Sequence, residues 1–154
     1  MPIHLLDTSA LAKRYFPEIG SRWVDHILRT ETVAISEIVI VEFASVVARQ
    51  HGEGHISSAQ RSGILRLFRQ DISDSIVVEI GRDILNDAAA LLLALPRATM
   101  LRTLDAIHVV SAMRAFSDAA TVGVPSGVLV SADNRLVTVA QQAGIDTDDP
   151  RLHP

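Results

Sequence analysis

Four carboxylates are the residues best placed to do chemistry: Asp7, Glu42, Asp105 and Asp133. Asp7 directly follows the apolar run Ile3 to Leu6, and Asp133 lies just past Gly127 to Ser131, so both fall at expected strand ends. In open α/β sheets that edge is where ligands bind. An acid ending a strand can equally be an N-cap, and either residue alone carries both readings. Asp105 falls in the first turn of the apolar helical segment Thr103 to Val110, and Glu42 interrupts Ile38 to Ala44, where almost every neighbour is apolar. A carboxylate in such a setting is costly to bury unless something pairs with it. The structural alternatives are an N-cap role for Asp105 and an arginine partner for Glu42.

If the four converge, like charges a few ångströms apart raise one another's pKa and call for a counter-charge. A hard divalent cation with oxygen ligands supplies one. Mg²⁺ suits few carboxylates because it keeps several waters and completes its shell from substrate phosphate, and Mn²⁺ tolerates the same ligands. Water held there becomes a stronger nucleophile, and the cation also stabilises charge on a leaving oxygen.

The elements that must position these acids alternate. Ile3 to Leu6, Val33 to Ser36, Ile76 to Ile80 and Gly127 to Ser131 read as strands, with a short last strand near Ile145. Helices are expected over Ala10 to Tyr15, Ser21 to Arg29, Ile56 to Gln70, Asp83 to Leu95, Thr103 to Phe116 and Asn134 to Ala143, the last closed by Gly144. Ile38 to Gln50 is rich in β-branched residues, but its length and a Ser36 cap favour helix, stopped by Gly52 and Gly54. Strands alternating with helices imply a three-layer α/β domain around a parallel sheet.

The chain has 154 residues, no internal repeat and no linker, which predicts one domain over residues 1–154. Hydrophobic residues make up 48% and charged residues 21%, with mean hydropathy +0.27, a globular composition rather than a disordered one. The N-terminus lacks a signal-length apolar run, and Ala88 to Leu95 is too short to span a membrane and reads as a buried helical face. Without cysteine there are no disulfides, thiolate nucleophiles or Cys-based metal sites, which fits a cytoplasmic protein. A net charge of −4 argues against gripping nucleic acid by bulk charge alone. Thirteen of the 14 basic residues are Arg, a bias that suits phosphate binding but follows equally from a GC-rich genome.

Other signals are weaker. His51 and His55 are spaced by four, but Gly52 and Gly54 between them favour a turn over a zinc site. His108 reads as a packed, hydrogen-bonded histidine rather than a general base. Asp146, Asp148 and Asp149 read as a solvated tail. Trp23 is either a partner anchor or a core residue. Arg14, Arg49, Arg102 and Arg135 flank the acids in sequence and could meet phosphates. Gly-rich phosphate loops and nucleophile elbows are absent, and a phospho-aspartate mechanism at Asp7 would need an acid where Ser9 stands.

Taken together, Leu5-Leu6-Asp7-Thr8-Ser9-Ala10-Leu11, the Ser36-to-Glu42 stretch, Leu104-Asp105-Ala106-Ile107-His108 and Val130-Ser131-Ala132-Asp133-Asn134-Arg135-Leu136 resemble the PIN-domain ribonucleases, specifically VapC-type toxins of toxin–antitoxin pairs. Ala140 to Ile145 is similar to the family's C-terminal helix, so the resemblance spans essentially the whole chain. It implies a Rossmann-like sheet in order 3-2-1-4-5, endonucleolytic cleavage of RNA by metal-activated water, a homodimer and a cognate antitoxin that blocks the site. On this chain Asp7 and Asp105 would be the principal Mg²⁺ ligands, Glu42 a ligand or water-positioning residue, and Asp133 an outer or second-metal acid. Thr8 or Ser9 would orient Asp7. Ser131-Ala132 departs from the family's usual Thr-containing pattern. The rival readings are a catalytically idle PIN-like protein that binds RNA or a partner, and a housekeeping RNA-processing nuclease.

Overall fold

The computed structural model describes residues 1–96, 99 and 101–153. Its sheet contains β1 (Ile3–Leu6), β2 (Thr32–Ser36), β3 (Ile76–Val78), β4 (Gly127–Val130) and β5 (Asp146–Asp148), in order β3-β2-β1-β4-β5, and every neighbouring pair is parallel. Among the described residues seven α-helices accompany them: α1 (Thr8–Leu11), α2 (Ser21–Thr30), α3 (Val39–Gly52), α4 (Ser58–Ser73), α5 (Arg82–Ala94), α6 (Thr103–Thr121) and α7 (Asn134–Gln142). The expected three-layer α/β architecture and strand order are therefore what the chain adopts.

Side chains alternate across a strand, so one sheet must feed two cores. Leu6, Val33, Ile35 and Val130 pack with Val24, Ile27, Val39, Phe43, Val47 and Phe68 from α2, α3 and α4. Leu5, Ala34 and Leu129 pack on the other face with Val109, Ala112, Leu136 and Val139 from α6 and α7. At Gly127 the Phe116 ring of α6 lies against β4. A Cβ there would lie 2.1 Å from the Phe116 ring, so the ring occupies the space a side chain would need.

Tertiary burial decides the ambiguous segment. Val39, Phe43 and Val47, four residues apart, all face the core of α3, and that packing outweighs their local strand preference. The expected Ser36 cap is corrected: the cap position is Ile38, without a side-chain bond, and Ser36 instead accepts from the Ser111 hydroxyl at 2.9 Å. The helix also runs through Gly52; the chain turns at Gly54, where φ is +76°. His51 and His55 bond separately, to Ser58 and Gln50. Helix α4 starts later than expected because Ser57 and Gln60 form a capping box. Helix α6 passes Phe116 and continues to Thr121, with the left-handed Gly123 (φ +88°) following.

The expected helix over Ala10 to Tyr15 is one α-turn followed by a 3-10 turn at Ala12–Arg14. The buried face expected at Ala88 to Leu95 is only partly so, since Ala88 is buried while Leu93 is 87% exposed. The solvated-tail reading of the C-terminal acids is corrected too. Asp146 and Asp148 lie in edge strand β5, opposite Val128 and Val130, and Asp149 caps a 3-10 turn at Pro150–Leu152. A short acidic edge strand is a form that discourages pairing with further chains. Trp23 is half-buried and stacks on His153 with ring centroids 4.1 Å apart.

Candidate active site

Parallel strands bring their carboxyl ends to one edge of the sheet. The register Leu6↔Val130 sets Asp7 beside Ser131, and the Asp7 amide donates to the Val130 carbonyl at 3.1 Å. Asp7 caps α1: its Oδ1 accepts from the Ala10 amide at 2.8 Å. The Ser9 hydroxyl lies 2.8 and 2.9 Å from the two carboxylate oxygens, and the Ser131 hydroxyl donates to Oδ2 at 2.8 Å. The same two hydroxyls knit the strand ends together, since Ser9 accepts from the Ala132 amide and Ser131 from the Asp133 amide, at 2.9 and 3.0 Å. Asp7 is only 4% exposed, and burial raises its pKa although nearby His108 and these donors pull it down.

Glu42 enters from the first turn of α3. Its Oε2 accepts from the Thr8 hydroxyl at 2.5 Å and from His108 Nε2 at 2.6 Å. Burial pushes this carboxyl up, but the His108 bond and charge and the Thr8 bond outweigh it, and the pKa is lowered. Asp105, in the first turn of α6, accepts from the Arg102 amide at 3.2 Å. Burial raises its pKa, and the negative charge of Asp133 adds to the rise. Asp133 caps α7 through the Arg135 amide at 2.9 Å. His108, one helical turn beyond Asp105, is 2% exposed; burial disfavours its charge, yet Glu42, Asp7 and Asp105 together raise its pKa.

All four carboxylates line one cavity of about 870 Å³, with Lys13, Arg49, Arg102, His108 and Arg151 also on its walls. Three of them do serve as caps or first-turn acceptors, so the structural reading of each is realised alongside its place in the cavity. Glu42 has no arginine partner among the described residues; Thr8 and His108 take that role. No three His, Asp or Glu side chains among the described residues stand close enough together to hold an ion outright. The donor set nevertheless fits Mg²⁺, which needs only one or two carboxylates and keeps water for the rest. A second cavity, of about 460 Å³, lies beside Ile3, Thr32 and Ile76 and is more apolar; on its rim Arg114 pairs with both Asp83 and Asp118.

The flanking arginines separate. Arg49 and Arg102 are exposed on the walls of the acidic cavity. Arg14 is held by Asp25 and Asp71, and Arg135 lines a different groove. Arg151 is tied to Asp149 and Asn134. Lys13 is buried, donating to the Ile19 carbonyl at 3.0 Å and facing Glu18 at 3.2 Å. Sequence reasoning passed over Ser131 as an anchor of Asp7, although the parallel register implies it. It also left open which hydroxyl orients Asp7: Ser9 does, while Thr8 serves Glu42.

A family model described as PIN domain matches residues 4–142. No curated protein matches the chain. Solved structures do. FitAcB from Neisseria gonorrhoeae is 16% identical with TM-score 0.69, covering 96% of this chain and 97% of that one. DNA-bound VapBC from Salmonella typhimurium is 17% identical with TM-score 0.64, covering 97% and 99%. VapBC2 from Rickettsia felis, bound to a DNA fragment from its promoter, is 15% identical with TM-score 0.63, covering 96% and 98%. At such identities the likeness is one of fold.

Proposed function

The chain belongs to the PIN-domain family, whose members are generally nucleases, and from that premise we propose that it is a Mg²⁺-dependent endoribonuclease toxin of the VapC type, restrained by a cognate antitoxin. The observation that carries the proposal is the convergence of Asp7, Glu42, Asp105 and Asp133 on one cavity at the carboxyl ends of the parallel strands.

In this reading Asp7 and Asp105 hold the cation. Both are buried carboxylates with raised pKa, so each has unmet negative charge to offer. When bound, Mg²⁺ would neutralise the clustered acids, sharpen water as a nucleophile and stabilise charge on the departing oxygen. Ser9 and Ser131 hold the Asp7 carboxylate in place, and Glu42 orients the attacking water. Asp133, close enough to raise the Asp105 pKa, completes the acidic wall. The exposed forks of Arg49 and Arg102 take phosphates on either side of the scissile bond. Water adds to phosphorus, the bond to the sugar oxygen breaks, and that oxygen leaves with a proton. An open cavity favours single-stranded or looped RNA, whose backbone can enter it.

The partner reading rests on the resemblance to VapC-type toxins, with which the VapBC names of two neighbouring structures agree. The proposal extends to a homodimer, to one PIN domain over residues 1–154 and to a cytoplasmic setting; no described helix is long and apolar enough to cross a membrane. Induced expression tests it. Growth should stop with the wild type, continue with Asp7→Asn, and resume when a cognate antitoxin is co-expressed. Unimpaired growth with an active, well-expressed enzyme would replace the toxin reading with RNA processing. Growth arrest by Asp7→Asn equal to that of the wild type would favour a binding protein without catalysis.

A further inference from the structure

His108 lies among the acids, yet no step of the proposed hydrolysis uses it. Its side chain is 3% exposed, and its Nε2 lies 2.6 Å from Glu42 Oε2. Nδ1 is buried and has no hydrogen-bond partner among the described residues. The Glu42 carboxylate offers no proton, so whether the ring is neutral or charged Nε2 carries the proton of this bond and donates it to Glu42. With one nitrogen committed and the other buried, the ring has no free atom with which to take a proton from water.

The contacts of Glu42 are one-sided. Thr8, next to Asp7, and His108, three residues beyond Asp105, both bond to Oε2. Oε1 has no hydrogen bond among the described residues, while Glu42 lines the cavity. Helix α1, which follows β1, and helix α6 thus hold one oxygen of a residue carried by a third element, α3.

We infer that His108 is a positioning residue, which clamps one oxygen of Glu42 and so presents the other to the reacting water or cation. This rests on the nuclease reading. It differs from a general-base role because His108 acts only through Glu42, and from a purely structural role because its effect disappears when Glu42 does.

The test measures kcat and KM on a single-stranded RNA, Mn²⁺ affinity by electron paramagnetic resonance, and melting temperature. The proteins are the wild type, His108→Leu and His108→Gln, each with and without Glu42→Ala. His108→Leu should lower kcat about 10–100-fold, as loss of an outer-shell partner does, with KM little changed. His108→Gln, whose amide can donate from nearly the same place, should recover most of that loss. In the Glu42→Ala background neither substitution should matter further, and Mn²⁺ affinity reports the same coupling where cleavage is too slow. An equal loss with and without Glu42 would overturn the inference, as would His108→Leu matching the wild type or His108→Gln as poor as His108→Leu. Should His108→Leu not fold, His108→Gln carries the test: a loss matching Glu42→Ala overturns it. A wild type that neither binds Mn²⁺ nor cleaves RNA would fail the nuclease reading and this inference together; an active wild type indifferent to His108 fails the inference alone.

Discussion

Asp7→Asn should make the metal-free protein more stable while removing its activity. The Asp7 carboxylate is 4% exposed, and three neighbours donate to it: the Ser9 and Ser131 hydroxyls and the Ala10 amide. Burying an ionised carboxylate costs several kcal/mol, and each hydrogen bond to the charge returns roughly 1.5–3 kcal/mol. The raised pKa shows that the donors do not fully offset the burial, so the ionised form is the disfavoured one. Asparagine has the same shape without the charge; its oxygen can keep the Ala10 bond, and the two hydroxyls can turn to meet its NH₂. A gain on the order of 1–2 kcal/mol follows, worth about 2–8 °C in Tm for a domain of this size.

The sign of the pH dependence is set as well. A carboxyl with a raised folded pKa destabilises when ionised and ceases to do so as pH falls through that pKa. The wild type should therefore close the gap on Asp7→Asn as the solution is acidified towards the ordinary Asp range near pH ~4. Mg²⁺ should close it from the other side by stabilising only the wild type. Melting curves in chelator at several pH values, then in Mg²⁺, measure this. A wild type more stable than Asp7→Asn at neutral pH in chelator, or a gap that widens on acidification, would refute the reasoning.

Ser131→Ala removes a donor from Asp7 and the acceptor of the Asp133 amide, so it should cost about 2–4 kcal/mol by denaturant titration and lower cleavage; a neutral result would deny the strand-end link. Gly127→Ala places a Cβ 2.1 Å from the Phe116 ring and should destabilise by roughly 1–3 kcal/mol, a penalty that disappears in a Phe116→Ala background. Arg49→Gln and Arg102→Gln should weaken RNA binding at every sequence and each lower the slope of log K against log salt by about 0.7. An unchanged slope would remove those two side chains from the phosphate path.

Much of this was legible from residue order because β1 to β4 are short, apolar and punctuated. Ile3 to Leu6 ends at Asp7, and Gly127 to Val130 is followed by Ser131-Ala132-Asp133, which places two acids on one edge before any packing is known. Helix α3 was harder, since Ile38 to Val41 has strand-like side chains and only the core contacts of Val39, Phe43 and Val47 decide it. The C-terminal acids misled because polarity outweighed pairing, whereas an edge strand needs backbone partners more than apolar side chains. The clamp on Glu42 joins three elements, so its partners Thr8 and His108 follow from tertiary packing and not from local pattern.

The central claim is that these acids hydrolyse RNA with the help of a divalent cation. Cleavage of end-labelled single-stranded RNA by the purified protein tests it most directly, with wild type and Asp7→Asn compared in Mg²⁺ and in chelator. The account predicts internal cuts by the wild type in Mg²⁺, none in chelator, and almost none with folded Asp7→Asn in either. Undiminished Mg²⁺-dependent cleavage by Asp7→Asn would contradict it.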